Sequence, residues 1–213
     1  MKFVFGAEAY WVKDRHEKDR TNCHIVLLAK NEFGRREING ILSEASKTGY
    51  YYKPRIDVEL LLSLDPKSVM VTSACVAGWN YEDADDIFLQ LHNHFKDNFF
   101  FEIQGHNTVK QKELNQRIYD LSKEHGVNMI VGLDSHFIYP EQASERDYLL
   151  ASRGLHYDEE DDWDMDYPDE KTVFDRFMRQ GVFDQATVQK AMDNTDLLLD
   201  FEDYDILPNG SPN

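Results

Sequence analysis

The sequence predicts an α/β fold whose strands form a mostly parallel sheet or barrel, followed by a helical extension. Three observations carry that prediction. Five short apolar runs, at 3–10, 24–30, 69–73, 99–103 and 129–133, are bounded by turn residues, as buried strands are. Segments of helical period lie between most of them. Beyond Tyr139 the strand signal ends and only helical patterns follow.

Each element has a local cause. Phe3–Tyr10 is apolar, reads as a strand and ends near the carboxylate Glu8. Residues 13–22 are charged and loop-like, and His24 opens the second strand. Asn31 can cap a helix reaching about Thr48, with Ile38, Ile41, Leu42 and Ala45 on one face and Gly49 ending it. The stretch 50–57 is extended, aromatic and basic, and holds Lys53 and Arg55. It reads either as a packed surface loop or as an edge that contacts phosphate or a base. Asp57 starts a short helix to Leu62. Residues 69–73 form a strand that delivers Cys75, and 82–95 carry Ile87, Leu91 and Phe95 on one helical stripe. Strand 99–103 ends at Gln104-Gly105-His106, and helix 112–125 turns Leu114, Ile118 and Leu121 inward. The last strand runs directly into Leu133-Asp134-Ser135-His136-Phe137. Helices are expected over 140–153, 168–180 and 184–199. The domain division is therefore 1–139 for the β/α unit, 140–206 for a helical extension with an acidic loop at 158–170, and 207–213 for a disordered tail.

Composition narrows the function. The chain has 213 residues, 41% of them hydrophobic, which is enough for one core. A formal net charge of -17 makes it a poor generic nucleic-acid binder, because phosphate contacts need Lys and Arg. Much of that charge lies in 158–166, so the first 150 residues are less hostile to a phosphate group. Two cysteines, Cys23 and Cys75, imply no disulfide framework and fit a reducing cytoplasm. No signal peptide or membrane-spanning run is visible, which points to a cytoplasmic protein.

Glu8, Cys75 and the Asp134–His136 pair fall at the carboxyl ends of different strands, where functional groups of α/β folds converge. His24 opens a strand and His106 follows another. Carboxylate, imidazole and thiol together suit zinc, and extra carboxylates admit manganese. Each residue alone has a plainer reading: Cys75 as a small buried hydrophobe, His24 as a hydrogen-bonded structural residue, Glu8 as an ion-pair partner.

Five ordered segments also resemble a known family: Gly6-Ala7-Glu8-Ala9-Tyr10, His24 to Asn31, Tyr51 to Asp57, Ser73 to Gly78, and Leu133 to Phe137. Together they look like the polymerase-and-histidinol-phosphatase (PHP) domain at the start of bacterial DNA polymerase III α subunits, C-family replicative polymerases. The resemblance implies a distorted seven-stranded β/α barrel with up to three metals, Zn2+ or Mn2+, at its strand ends. It implies metal-dependent 3′-5′ exonuclease or related phosphoester hydrolysis in DNA replication. By motif, Glu8, His24, Cys75, Asp134 and His136 match metal ligands, and His106 stands beside them as a further candidate. Glu8, Asp134 and His136 would be the catalytic set, with Lys53 and Arg55 as phosphate or nucleic-acid contacts. The family's His-x-His strand and Asp-His-Gly segment, which precede its Gly-x-Glu strand, have no counterpart here, nor has the polymerase core. An incomplete barrel with at most one complete metal site is expected, active weakly or serving as a non-catalytic structural or interaction module. Open apolar edges at 3–10 and 129–133 would then favour self-association, or binding to the remainder of a polymerase polypeptide.

Overall fold

A computed structural model describes residues 2–155 and 163–204. The expected tail at 207–213 and residues 158–162 of the acidic loop lie outside the described residues. Six strands build one sheet: β1 (Gly6–Trp11), β2 (Cys23–Ala29), β3 (Arg55–Ile56), β4 (Val69–Thr72), β5 (Phe99–Ile103) and β6 (Asn128–Val131). Their order is β3-β1-β2-β4-β5-β6. The principal helices are α1 (Glu32–Thr48), α2 (Val58–Leu62), α3 (Ala84–Phe95), α4 (Val109–His125), α5 (Ala143–Ser152), α6 (Glu170–Gln180) and α7 (Gln185–Asp193).

The caps expected from sequence form. Asn31 accepts from Gly34 N at 2.9 Å to start α1, and Asp57 accepts from Leu60 N at 3.1 Å to start α2. Ile38, Ile41 and Ala45 of α1 are buried. α4 ends on Gly126 in the left-handed conformation.

The sheet departs from the expectation in two ways. It is mixed: β1–β3, β4–β5 and β5–β6 pair parallel, whereas β2 runs antiparallel to both β1 and β4. The reason lies in residues 12–22. That link holds no helix, and a parallel return needs a crossover of a dozen or more residues, usually helical. The second difference concerns the edges. β1 has neighbours on both sides, because Arg55–Ile56 of the expected loop adds a short strand beside it. Phe3 lies outside the strand and is exposed, so the expected open edge at 3–10 does not exist. β3 and β6 are the edges instead.

Alternation along β2 sorts the two faces. Cys23, Ile25, Leu27 and Ala29 are fully buried, while His24, Val26 and Leu28 are only partly so. The buried face packs on α1, α3 and α4 in the main core, built on Trp11, Phe88, Phe99 and Phe101. Val173 and Phe177 of α6 and Val188 of α7 join that same core, so the helical extension is packed onto the β/α unit. On the opposite face a smaller cluster of Met70, Phe100 and Ile130 is covered by Phe201. Among the described residues no helix is long and apolar enough to cross a membrane.

Candidate functional site

The reversed course of β2 is what assembles the site. Because β2 is antiparallel, its first residues lie at the same end of the sheet as the last residues of β1 and β4. Pairing sets Tyr10 opposite His24 and Glu8 opposite Val26. Glu8 and His24 are thus diagonal neighbours on one face, a spacing long side chains can bridge. His24 Nδ1 stands 2.5 Å from Glu8 Oε1. Cys75 Sγ lies 3.4 Å from the same nitrogen. The hydrogen bond from His24 holds the Glu8 carboxyl below its ordinary value, and the charges of His24, His136 and Lys53 add to the effect.

Cys75 reaches this point through a tight turn. Ala74 takes a left-handed φ of 56° two residues after β4. The following turn, Val76–Trp79, lies against β2, and a Cβ at Gly78 would sit 2.2 Å from Ser73 O and 2.9 Å from His24 O. Only glycine permits that approach. Burial pushes the Cys75 thiol up to about 12, and the charges of Asp134, Glu8 and Glu102 raise it further.

Asp134 follows β6 with a left-handed φ of 49°. His136 Nδ1 donates to Asp134 O at 2.7 Å and stands 4.0 Å from Asp134 Oδ1. His136 is exposed, and its charge acts on Glu8. His106 is almost fully buried; its ring stacks on Trp163 at 5.0 Å and neither ring nitrogen has a hydrogen-bond partner. Burial lowers its pKa to about 4, so the ring is neutral.

The two basic residues of the aromatic loop separate. Lys53 is exposed, donates to Tyr10 Oη at 2.7 Å and places its ammonium 3.8 Å from the Tyr10 ring centroid. The Tyr10 ring in turn meets His24 edge-on at 5.2 Å. Arg55 is 2% exposed and donates to the carbonyls of Arg15, Glu17, Asp19 and Gly49. Its guanidinium braces the 15–19 loop and is spent on backbone carbonyls.

Sequence patterning hid three contributors. Glu102 lies within Phe99-Phe100-Phe101-Glu102-Ile103, which reads as a core strand. Yet it accepts from Thr72 Oγ1 at 2.7 Å and from Gln104 Nε2 at 3.0 Å, and its charge is felt by Cys75. Trp163 and Arg176 belong to a clip over the Asp134–His136 loop. His136 N donates to Met165 O at 2.8 Å, Ser135 Oγ to Asp166 O at 2.8 Å, and Arg176 Nη2 pairs with Asp166 Oδ1 at 2.6 Å. The signal for the clip was Asp164-x-Asp166 ahead of Arg176 and Arg179, whose one-turn spacing puts both guanidiniums on one helix face.

A family model described as "PHP domain" matches residues 1–106. Those residues are a PHP domain. Relatives of the chain extend the match beyond it. DNA polymerase III subunit alpha of Borreliella burgdorferi is 30% identical over 165 residues, that of Aquifex aeolicus 29% over 170, and that of Deinococcus radiodurans 31% over 168. Each alignment covers 71% of this chain, and 14%, 15% and 12% of the respective relative. The chain therefore spans about one seventh of the length of these relatives.

PHP domains are generally metal-dependent, and the donors of this one suit a metal in kind: carboxylates, imidazoles and a thiol. In arrangement, no group of three or more His, Cys, Asp or Glu among the described residues is spaced to hold an ion. His24 Nδ1 is engaged by Glu8 and Cys75 instead, at hydrogen-bonding separations.

Proposed function

We propose that the chain acts in DNA replication as the PHP module of a polymerase III alpha-type protein. Its strand-end cluster would be a partial, metal-dependent phosphoester centre of the 3′-5′ exonuclease type. One observation supports this reading above the others. Glu8 of β1 and Cys75 of the turn after β4 meet within hydrogen-bonding reach of the Nδ1 of His24 on β2. One nitrogen of this histidine has both a hard carboxylate oxygen and a soft thiol sulfur beside it.

The ligands would be Glu8, His24 and Cys75 for one Zn2+ or Mn2+, with Asp134 and His136 on the loop alongside and His106 behind it. A divalent ion held there would supply Lewis-acid polarisation of a phosphoester oxygen. The chain's own residues prepare the place. Glu8 fixes the His24 ring through Nδ1. Asp134 O fixes the tautomer of His136 by accepting a hydrogen bond from its Nδ1–H. Lys53, exposed at the rim and electrostatically coupled to Glu8, is the cation that would meet a phosphate. The cytoplasm is the matching compartment.

The decisive experiment combines elemental analysis with a nuclease assay. Purified protein loaded with Zn2+ or Mn2+ should retain up to about one ion per chain and degrade 3′-labelled DNA weakly or not at all, since hydrolysis commonly needs a second metal. No retained metal after loading would refute the metal reading. Robust manganese-dependent activity abolished by Asp134→Ala would refute the partial character of the site.

A second reading, a non-catalytic interaction module, has its own support. Helix α5 buries none of its residues and exposes Tyr148 and Leu149, with Ile138, Tyr139 and Tyr167 exposed as well. The remainder of a polymerase polypeptide, or a second copy of the chain, would cover such a surface. Light scattering of the isolated chain separates these partners, since only the second gives a dimer.

A further inference from the structure

The aromatic loop at 50–53 presents rings to solvent instead of burying them. Tyr50 is 66% exposed and Tyr52 65%. Tyr52 holds a left-handed φ of 62°, a conformation that suits glycine and strains a bulky residue. The Tyr51 amide donates to Lys53 O at 3.0 Å, which closes a tight turn with Tyr52 at its tip. Such strain persists only where the surroundings impose it, and it collects at functional sites. Here the surroundings are cationic. The Arg20 guanidinium lies 4.2 Å from the Tyr52 ring centroid and 5.8 Å from that of Tyr51, and it donates to the Tyr52 hydroxyl. Tyr51 and Tyr52 meet edge-on at 4.8 Å.

Ring and cation continue to alternate toward the strand-end cluster. The Lys53 ammonium sits over the Tyr10 ring, and the Tyr10 ring meets His24. Carboxylates bordering the loop are engaged: Asp57 by Arg15 at 2.8 Å, Asp19 by the hydroxyls of Thr21 and Tyr81. Arg20 and Lys53 are both exposed. In a chain of formal net charge -17, this face therefore pairs exposed cations with exposed rings. Rings that stack on bases, beside cations that meet phosphates, are what binds a nucleic-acid single strand. A duplex keeps its base faces stacked inside and cannot use the rings.

We propose that Tyr50, Tyr52, Arg20 and Lys53 form a platform for single-stranded DNA, with bases stacked on the tyrosines and phosphates on the cations, leading past Tyr10 toward the strand-end cluster. The inference rests on the reading that the chain acts on DNA, and it gives the strand a path that needs no metal.

Fluorescence anisotropy of the whole chain with a labelled oligothymidylate, in EDTA at about 50 mM salt, tests it. An abasic strand of the same length offers phosphates without bases and should bind about tenfold more weakly or worse. Tyr50→Ala and Tyr52→Ala should each weaken oligothymidylate binding about tenfold, whereas Tyr50→Phe and Tyr52→Phe keep it, since the ring and not the hydroxyl does the stacking. Arg20→Ala should lower the slope of affinity against salt by about one. If Tyr52→Ala melts early, Tyr50→Ala carries the test. Equal affinity for the abasic strand, unchanged affinity in Tyr50→Ala and Tyr52→Ala, or no binding by the native chain would each overturn the platform. EDTA separates the two readings: loss of the platform leaves the metal centre standing, and absence of retained metal leaves the platform standing.

Discussion

The side-chain amide of Asn194 donates to the backbone carbonyl of Met129 at 2.7 Å. Met129 belongs to β6, an edge of the sheet, and edge carbonyls invite pairing with another chain. The segment after α7 therefore shields an edge that strand patterning alone leaves open. Asn194→Ala should cost about 1 kcal/mol, seen as a fall of about 2–4 °C in thermal midpoint. Light scattering should show greater association of the variant, since the freed carbonyl is available to a second copy.

Much of this architecture was legible in the residues. The period of Ile38, Ile41 and Ala45, the Asn31 and Asp57 caps and the apolar runs all specify elements through local chemistry, and those elements form. What local chemistry does not carry is direction. The antiparallel course of β2 depends on a link too short for a crossover, and the placement of His24 follows from it. Burial misled in two places. Glu102 is framed by phenylalanines and reads as core, although it faces away from the main core, on the side of Phe100. Arg55 sits among tyrosines and reads as surface, although it is sealed under the 15–19 loop. Glu8, His24 and Cys75 came together as their strand-end positions suggested, because strand ends are set by the same turns the sequence displays.

Arg55 and Lys53 should behave oppositely on mutation. Removing the Arg55 guanidinium strips the donors from four carbonyls in and beside the 15–19 loop, and each buried acceptor left bare is costly. Arg55→Ala should lose about 3 kcal/mol or more of stability in urea titration. Lys53→Ala removes one exposed contact to Tyr10 and should change stability by about 0.5 kcal/mol or less. It should weaken retention of a 3′-phosphorylated oligonucleotide in metal-loaded protein. Equal stability loss in both variants would contradict the assigned division.

His106 makes stability depend on pH. Burial lowers its pKa from 6.5 to about 4, helped by the charges of Arg176 and His136 and opposed by that of Asp164. Between these values the unfolded chain binds a proton that the folded chain does not. Stability is therefore greatest above pH 6.5 and falls as pH drops toward 4, by about 3 kcal/mol from this one ring. His106→Phe keeps an aromatic ring against Trp163 and cannot titrate. Urea titrations at pH 7 and pH 4.5 should show a smaller loss for the variant; identical losses would mean that His106 is not held neutral.

Arg176 should control the Asp134–His136 loop through Asp166. It pairs with Asp166 at 2.6 Å, both side chains being largely buried, and Asp166 O in turn receives the hydroxyl of Ser135. The neighbouring Met165 O accepts the amide of His136 at 2.8 Å, and the Tyr167 amide returns to Ile138 O at 3.2 Å. Stacking of Trp163 on His106 closes the other end of the clip. Arg176→Ala leaves Asp166 without its cation and should cost about 2 kcal/mol. That loss should be local, because the core of α6 rests on Val173 and Phe177, which the substitution does not alter. Hydrogen exchange gives the sharper readout. Amides of His136 and Tyr167 should exchange faster in Arg176→Ala, while those of Ile25 and Leu27 in β2 keep their native protection. Uniform acceleration across all four would instead mean that Arg176 stabilises the whole molecule and that the loop has no separate anchorage.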